Sequence, residues 1–470
     1  MGRGWRLLGV AVAVCGLAPG AACGGSDDNG DGGDDGGADA GSADAATACA
    51  APSSTITHDG NITADENWSG DVAHLVPGDL AVESATLTIE ACAIVSMGAG
   101  ASITVRGDPG AGEPAALVAS GAGPAETVAF VRADEAEPWG ILRGWDDSSR
   151  IELHYAELRG GGAFDGGYGD PAIAMSGSSY GDPPVGLLEV DHVLIDGAQG
   201  NGITFDTNAA FTDDSTALTI QGAGGSALMM TMLSVGSIPD GTYAGNGRDE
   251  VLVAGQFNVF ADLTVRKRLP IRIPVGSMVV AAPVNETFPV TLTLEPGVVL
   301  RFPPLAGNPG ARVQFGGNGN EPDNKVGVLD AQGTEAEPIV FTSGAAAPAA
   351  GDWVGLWLDT APGSRLDHVI IEFAGADNGI SSSNCRPDMV TDDAALVVGD
   401  FSDQYVPPAD LLTSSIIRAS AGNGVDAIWV GPELGPDFTG GGNTLSDIAE
   451  CDQTYNSLDG PEACPMRGCF

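Results

Sequence analysis

Leu292–Phe302 reads LTLEPGVVLRF, and it is followed by Pro338–Ser343, PIVFTS, by Trp353 and by Leu366–Gly375, LDHVIIEFAG. The same order stands earlier in the chain: Leu87–Met97 is LTIEACAIVSM, Thr127–Val131 is TVAFV, then come Trp139 and Ile151–Gly160, IELHYAELRG. Further matches keep that order. Gly78-Asp79-Leu80-Ala81-Val82 answers Gly276-Ser277-Met278-Val279-Val280, and Ser149-Arg150-Ile151 answers Ser364-Arg365-Leu366. Gly200-Asn201-Gly202-Ile203 answers Gly422-Asn423-Gly424-Val425, and Phe211-Thr212 answers Phe438-Thr439. A pattern repeated in one order over most of a chain marks a repeat architecture.

The apolar runs inside each copy are short, as in Ile103-Thr104-Val105, Ile370-Ile371 and Ile416-Ile417, with Gly, Asn, Asp or Pro between them. No stretch of the body carries the i, i+3, i+4 spacing of a long amphipathic helix. Asn-Gly and Asp-Gly pairs occur, but not between alternating runs, so they do not signal hairpins. Strands this short can be buried by parallel stacking, coil on coil at about 4.8 Å, with each inward Val, Ile or Leu on its counterpart in the next coil. The expected fold is therefore all-β, a single-stranded parallel β-helix (solenoid) of two tandem copies, 51–248 and 249–470, with the seam near Arg248. At about 22 residues per coil the body would hold roughly 18–20 coils and run to about 90 Å.

The order LTLEPGVVLRF, then GVLDAQGTEAEPIVFTS (Gly327–Ser343), then WVGLWL (Trp353–Leu358), then LDHVIIEFAG resembles the right-handed parallel β-helix repeats of bacterial exported proteins, within the pectin-lyase-like fold. Val235–Gly247, VGSIPDGTYAGNG, resembles them too, and the resemblance covers nearly all of 51–470. It implies the fold. It does not imply one activity, because lyases, hydrolases, adhesins and binders share that architecture.

The N-terminal end reads as an export signal. Arg3 and Arg6 precede the apolar run Leu7–Ala18, which is of signal length and too short to span a bilayer. Residues 1–22 are thus expected to be a lipoprotein signal peptide. Gly20-Ala21-Ala22-Cys23 resembles a lipoprotein box, although Gly20 stands where Leu is usual. Cys23 is the lipidation candidate, and ordinary secretory cleavage after Ala22 is the alternative. Residues 23–50 form an acidic Gly/Asp-rich tether: Gly24–Ala46 has no apolar residue larger than Ala and no positive charge, so it cannot bury a core. A tether behind an acylated cysteine suits a lipid-anchored protein of the outer membrane or cell surface, with secretion as the alternative. Asp27-x-Asn29-x-Asp31-Gly32 imitates half of a calcium loop, but Ala38 stands where the bidentate Glu belongs, which favours plain low complexity.

The formal net charge is −44, from 63 acidic against 19 basic residues, which disfavours a nucleic-acid partner. The basic group Arg266, Lys267, Arg268 and Arg272 is the local exception, and pairing with nearby carboxylates is its plainer explanation. Cys49, Cys92, Cys385, Cys451, Cys464 and Cys469 are the disulfide candidates of an exported chain. Cys49 and Cys92 would staple the first coils. The last four would pin a Cys-rich C-terminal cap over the exposed sheet end. No CxxC pair or His cluster accompanies them, so zinc is not expected, and no other metal or cofactor is indicated.

No residue reads as catalytic. His192 and His368 sit in matching phrases, VDHVLID and LDHVIIE, as one repeated coil position would place them. Asp213-Asp214 and Asp392-Asp393 have the composition of a hydrolase carboxylate pair but occupy different places in the two copies. Arg386 beside Asp388 offers a lyase no more than any loop does. The Asn-Thr-Asp, Gly-His-Gly and Arg-Ile-Lys strings that mark glycosidases of the resembled fold do not occur. Trp139, Trp145, Trp353, Trp357 and Trp429 are candidate platforms for sugar rings. The pair Trp139 and Trp353 is better explained as one core or turn position seen twice. Three functions remain open: non-enzymatic binding of polysaccharide or another surface partner, a polysaccharide lyase or hydrolase with an unfamiliar site, and an envelope spacer or adhesin.

Overall fold

The structure is a computed structural model of the chain, and it describes residues 49–163, 166–167, 169–177, 184–274, 276–283, 286, 288–304, 311–316, 326–359, 361–377, 393–399, 407–429 and 436–457. Residues 46–470 fall in one compact unit. It is an all-β parallel solenoid, and every pairing between its strands is parallel. Each coil lays down one strand on each of three faces. In the first copy, Thr86–Glu90, Ile94–Met97 and Ile103–Arg106 are one such coil.

Alternation within each strand builds the core. On the first face Leu87, Leu117, Ile151 and Leu188 stack in register, and all four are fully buried. On the second face Val95, Phe130, Leu158, Ile195 and Ile220 do the same. The third face is the longest, thirteen strands from Leu80–Glu83 to Thr444–Ile448. Its inner column includes Ile103, Leu142, Ile203, Val251, Leu300 and Ile371. Each inward aliphatic side chain contributes about 1.5–3 kcal/mol by leaving water.

One expectation needs correction. Among the described residues, thirteen strands on the longest face mean about thirteen coils, spanning about 60 Å at about 4.8 Å per coil, rather than eighteen to twenty. The coils are fewer because many carry long excursions: Glu372 and Arg418 are stacked neighbours but lie 46 residues apart. The third face runs through the region of Arg248 without a break. Arg248–Val253 pairs with Ser226–Met230 on one side and Ile271–Arg272 on the other.

At the junction the repeat changes phase. Ile94–Met97 lies on the second face, yet its sequence counterpart Val299–Phe302 continues the third face. The counterpart of Ile103–Arg106, Arg312–Phe315, leaves the third face for a sheet with Ser277–Val280. The second copy is therefore set one face onward about the solenoid axis. Around the junction the 3-10 helix Leu233–Ser237 lies on Ala209–Phe211, and Val259 makes a single bridge to Val280.

Cys49 and Cys92 are joined by a disulfide with a Cα–Cα distance of 5.4 Å, tying the chain entering the solenoid to an early turn. Cys451 is also disulfide-bonded, to a partner outside the described residues. Cys23, Cys385, Cys464 and Cys469, with the signal segment and the tether, lie outside the described residues as well.

Candidate functional site

The third face carries an open cavity of about 570 Å³ at the ends of its early strands. Glu83 and Arg106 are register partners at one wall. Asp108, Trp145 and Asp146 supply the rest of the polar and aromatic rim. Trp145 is 43% exposed, and among the described residues no other tryptophan is so open to solvent. The Arg143 guanidinium lies 3.5 Å from the centre of its ring, a cation–π contact that fixes the indole.

The loops bearing these groups are tightly held. The backbone N–H of Trp145 donates to the Val105 carbonyl at 3.1 Å, and Ser149 Oγ donates to the same carbonyl at 3.0 Å. Asp146 accepts from the backbone N–H of Ser148 at 2.9 Å and from the Ser148 hydroxyl at 2.5 Å. Asp108 accepts from the N–H groups of Gly110 at 2.9 Å and Ala111 at 3.1 Å. These two carboxylates are therefore committed to turn geometry. Gly107 is required between them: a Cβ there would clash with Ser148 Oγ and come within 2.6 Å of the Glu113 carbonyl oxygen.

The other sequence candidates fall elsewhere. Trp139 and Trp353 are fully buried, and each indole N–H donates to a backbone carbonyl: Arg159 at 2.8 Å and Glu372 at 2.9 Å. They are one core position in two copies. Trp357 packs against Ala394 and Val397 on an outer face, with Arg312 at 5.0 Å from its ring. The side chain of Trp429 is outside the described residues, as are Arg386, Asp388 and Asp392. Asp213 and Asp214 occupy an exposed turn and do not line the cavity.

His192 and His368 both take left-handed backbone conformations, φ 53° and 50°, at a corner between two faces. Each approaches the carboxylate of the preceding residue, His192 to Asp191 at 2.7 Å and His368 to Asp367 at 3.1 Å. His192 stacks on Tyr155, which holds the same corner one coil earlier at φ 45°. Burial pushes the Asp367 carboxyl up, but hydrogen bonds from Thr413 and His368 outweigh it and hold the group below the usual carboxylate range. The repeated His is thus a corner device, and neither copy lines the Trp145 cavity.

Sequence reasoning missed a cluster in the opening coil. His58 stacks on buried Trp68 at 4.0 Å, and its Nε2 lies 3.0 Å from Nδ1 of buried His74. Glu66 accepts from the Trp68 indole at 2.7 Å and lies 3.4 Å from His58 Nδ1. Burial lowers the His58 pKa, His74 lowers it further, and Glu66 partly opposes both. Isolated His in unlike phrases gave no signal of this contact.

The basic group is paired one by one: Arg266 with Glu295 at 3.9 Å, Lys267 with Glu337 at 2.7 Å and Arg268 with Asp240 at 2.7 Å, while Arg272 joins Glu250 at 3.7 Å. Among the described residues no three His, Cys, Asp or Glu side chains are placed to hold a metal ion, and no helix is long and apolar enough to cross a membrane. The fold and cavity define a parallel β-solenoid whose third face carries, among the described residues, the tryptophan most open to solvent. No family model, curated protein or solved structure matches the chain.

Proposed function

We propose that this protein is a lipid-anchored envelope protein that binds a glycan on the outside of its solenoid, at Trp145 and the cavity beside it, without cleaving it. The exposed Trp145 ring carries the reading. One face is covered by Arg143, and the ring stands beside a cavity rimmed by Glu83, Arg106, Asp108 and Asp146. Sugar rings pack their C–H faces on such a ring while their hydroxyls meet the polar rim. Asp108 and Asp146 already cap turns, which disfavours their pairing with Glu83 for acid and base work on a glycosidic bond. The sequence of residues 1–46 supports the anchor: Cys23 would take the acyl chains and the acidic segment would hold the solenoid off the outer membrane.

The test is a glycan array probed with the chain carrying Cys23→Ser. The shortest usable form must retain Cys49, which is bonded to Cys92. Binding that falls about tenfold or more in Trp145→Ala, with no unsaturated or reducing-end products from the bound glycan, supports the proposal. Cleavage of the bound glycan would replace it with the enzyme reading. An array with no binding would favour a spacer or adhesin.

A further inference from the structure

Further along the third face, Glu250 is buried, with 4% of its side chain exposed, and three guanidinium groups surround it. Arg301 lies 3.5 Å away, Arg272 3.7 Å and Arg248 4.0 Å. Arg272 and Arg301 are register partners on adjacent strands, and like charges placed so are mutually destabilising. Among the described residues, one carboxylate within 4.0 Å of three guanidinium groups leaves two positive charges unbalanced. The chain as a whole has 63 acidic and 19 basic residues, so carboxylates to neutralise them were not scarce. The same outer face shows the balanced alternative four strands on: Glu372 forms an ion pair with one arginine, Arg418, at 2.5 Å. Arg272 also donates to the Gly344 carbonyl at 2.9 Å, which aims its fork, while Arg301 and Arg248 remain 40% and 57% exposed.

From this geometry we infer that Arg248, Arg272 and Arg301 form a second binding site, for an oxyanion carried by an acidic glycan. Guanidinium forks recognise carboxylate, sulfate and phosphate groups through paired hydrogen bonds, and an incoming oxyanion relieves the repulsion between Arg272 and Arg301. Glu250 holds the arginines together and sets the strength of the site by partly neutralising them. The net charge of −44 disfavours a densely charged polymer such as nucleic acid and favours one with sparse charges that can reach a local patch. The choice of a glycan as carrier rests on the glycan-binding reading of the Trp145 cavity; the oxyanion site does not.

The experiment compares binding of sulfated dextran, carboxymethyl dextran, unmodified dextran and duplex DNA to the full chain with Cys23→Ser at low salt. Both anionic dextrans should bind and unmodified dextran should not. Arg272→Gln with Arg301→Gln should weaken binding more than about tenfold. Glu250→Gln should tighten it several-fold, because it removes the competing carboxylate. Loss of binding in the arginine variant with no gain in Glu250→Gln would overturn the inference. So would wild-type indifference to the anionic dextrans, or preference for DNA over them. If the arginine variant fails to fold, Glu250→Gln decides alone: a gain supports the site and no gain sinks it. Trp145→Ala should leave anionic dextran binding intact, so the failure of either site can be told from the failure of the other.

Discussion

The first and second copies of the repeat use the same phrases on different faces. Trp139 donates to a carbonyl of the second face, at Arg159, whereas Trp353 donates to the third, at Glu372. Asn201 accepts the N–H of Ser226, and Asn423 accepts the N–H of Cys451, each bridging to the following coil. The local device survives while its place around the axis moves by one face. A face of the solenoid is thus not specified by the phrase that builds it. All three faces need the same alternation of buried and outward side chains, and each strand sits wherever the preceding coil offers an unpaired edge.

The copies differ in parts of the core and in what they carry outside it. Alignment puts Phe302 where the first copy has Met97, and Phe302 stacks on Trp353 at 4.4 Å. The first copy alone opens with the His58–Trp68–His74 stack and carries the Trp145 cavity. The arginine cluster around Glu250 spans the junction itself.

If the two tryptophans are one position, Trp139→Ala and Trp353→Ala should cost about the same, about 3–5 kcal/mol each, from the cavity and the lost hydrogen bond. Urea midpoints measure this, and a clear inequality would break the equivalence of the copies. Asn201→Ala and Asn423→Ala should cost less, about 1–3 kcal/mol each, by leaving a buried N–H without its acceptor. Hydrogen exchange at Ser226 and Cys451 should rise in the respective variants, and a rise spread over the whole solenoid would argue against a local coil-to-coil role.

Acidification should separate the copies. The folded pKa of His58 lies below its unfolded value near 6.5. The unfolded chain therefore binds more protons as the pH falls, so this contribution to stability is complete above about 6.5 and is lost as pH drops through the folded value. Exchange protection in the opening coils of the first copy should fall in that window while the second copy stays protected. His58→Gln should abolish the difference, and equal loosening of both copies would refute it. The smallest effect is expected from Asp213→Asn with Asp214→Asn: on an exposed turn away from the cavity, the change should leave glycan binding and melting temperature unaltered. A marked loss of binding would move the site.

Much of this was legible in the letters because it depends on neighbours in sequence. Short runs such as Val299–Phe302 alternate inward and outward whatever lies beside them, so the stacked all-β fold could be read from period and punctuation. The matched Trp phrases announced a recurring core or turn position, and isolated Cys49 and Cys92 announced a staple at the entry, whereas the coil-to-coil bridges of Asn201 and Asn423 appeared only in the structure. Coil number, face and site were not legible, because they depend on how far each loop departs before the chain returns. The 46 residues from Glu372 to Arg418 make one coil, not two. The junction at Leu233–Ser237 and Val259 sets the second copy one face onward. Arg106 and Trp145 become neighbours, and Arg272 and Arg301 join Arg248 at Glu250, only because parallel stacking brings residues of successive coils to about 4.8 Å per coil in space.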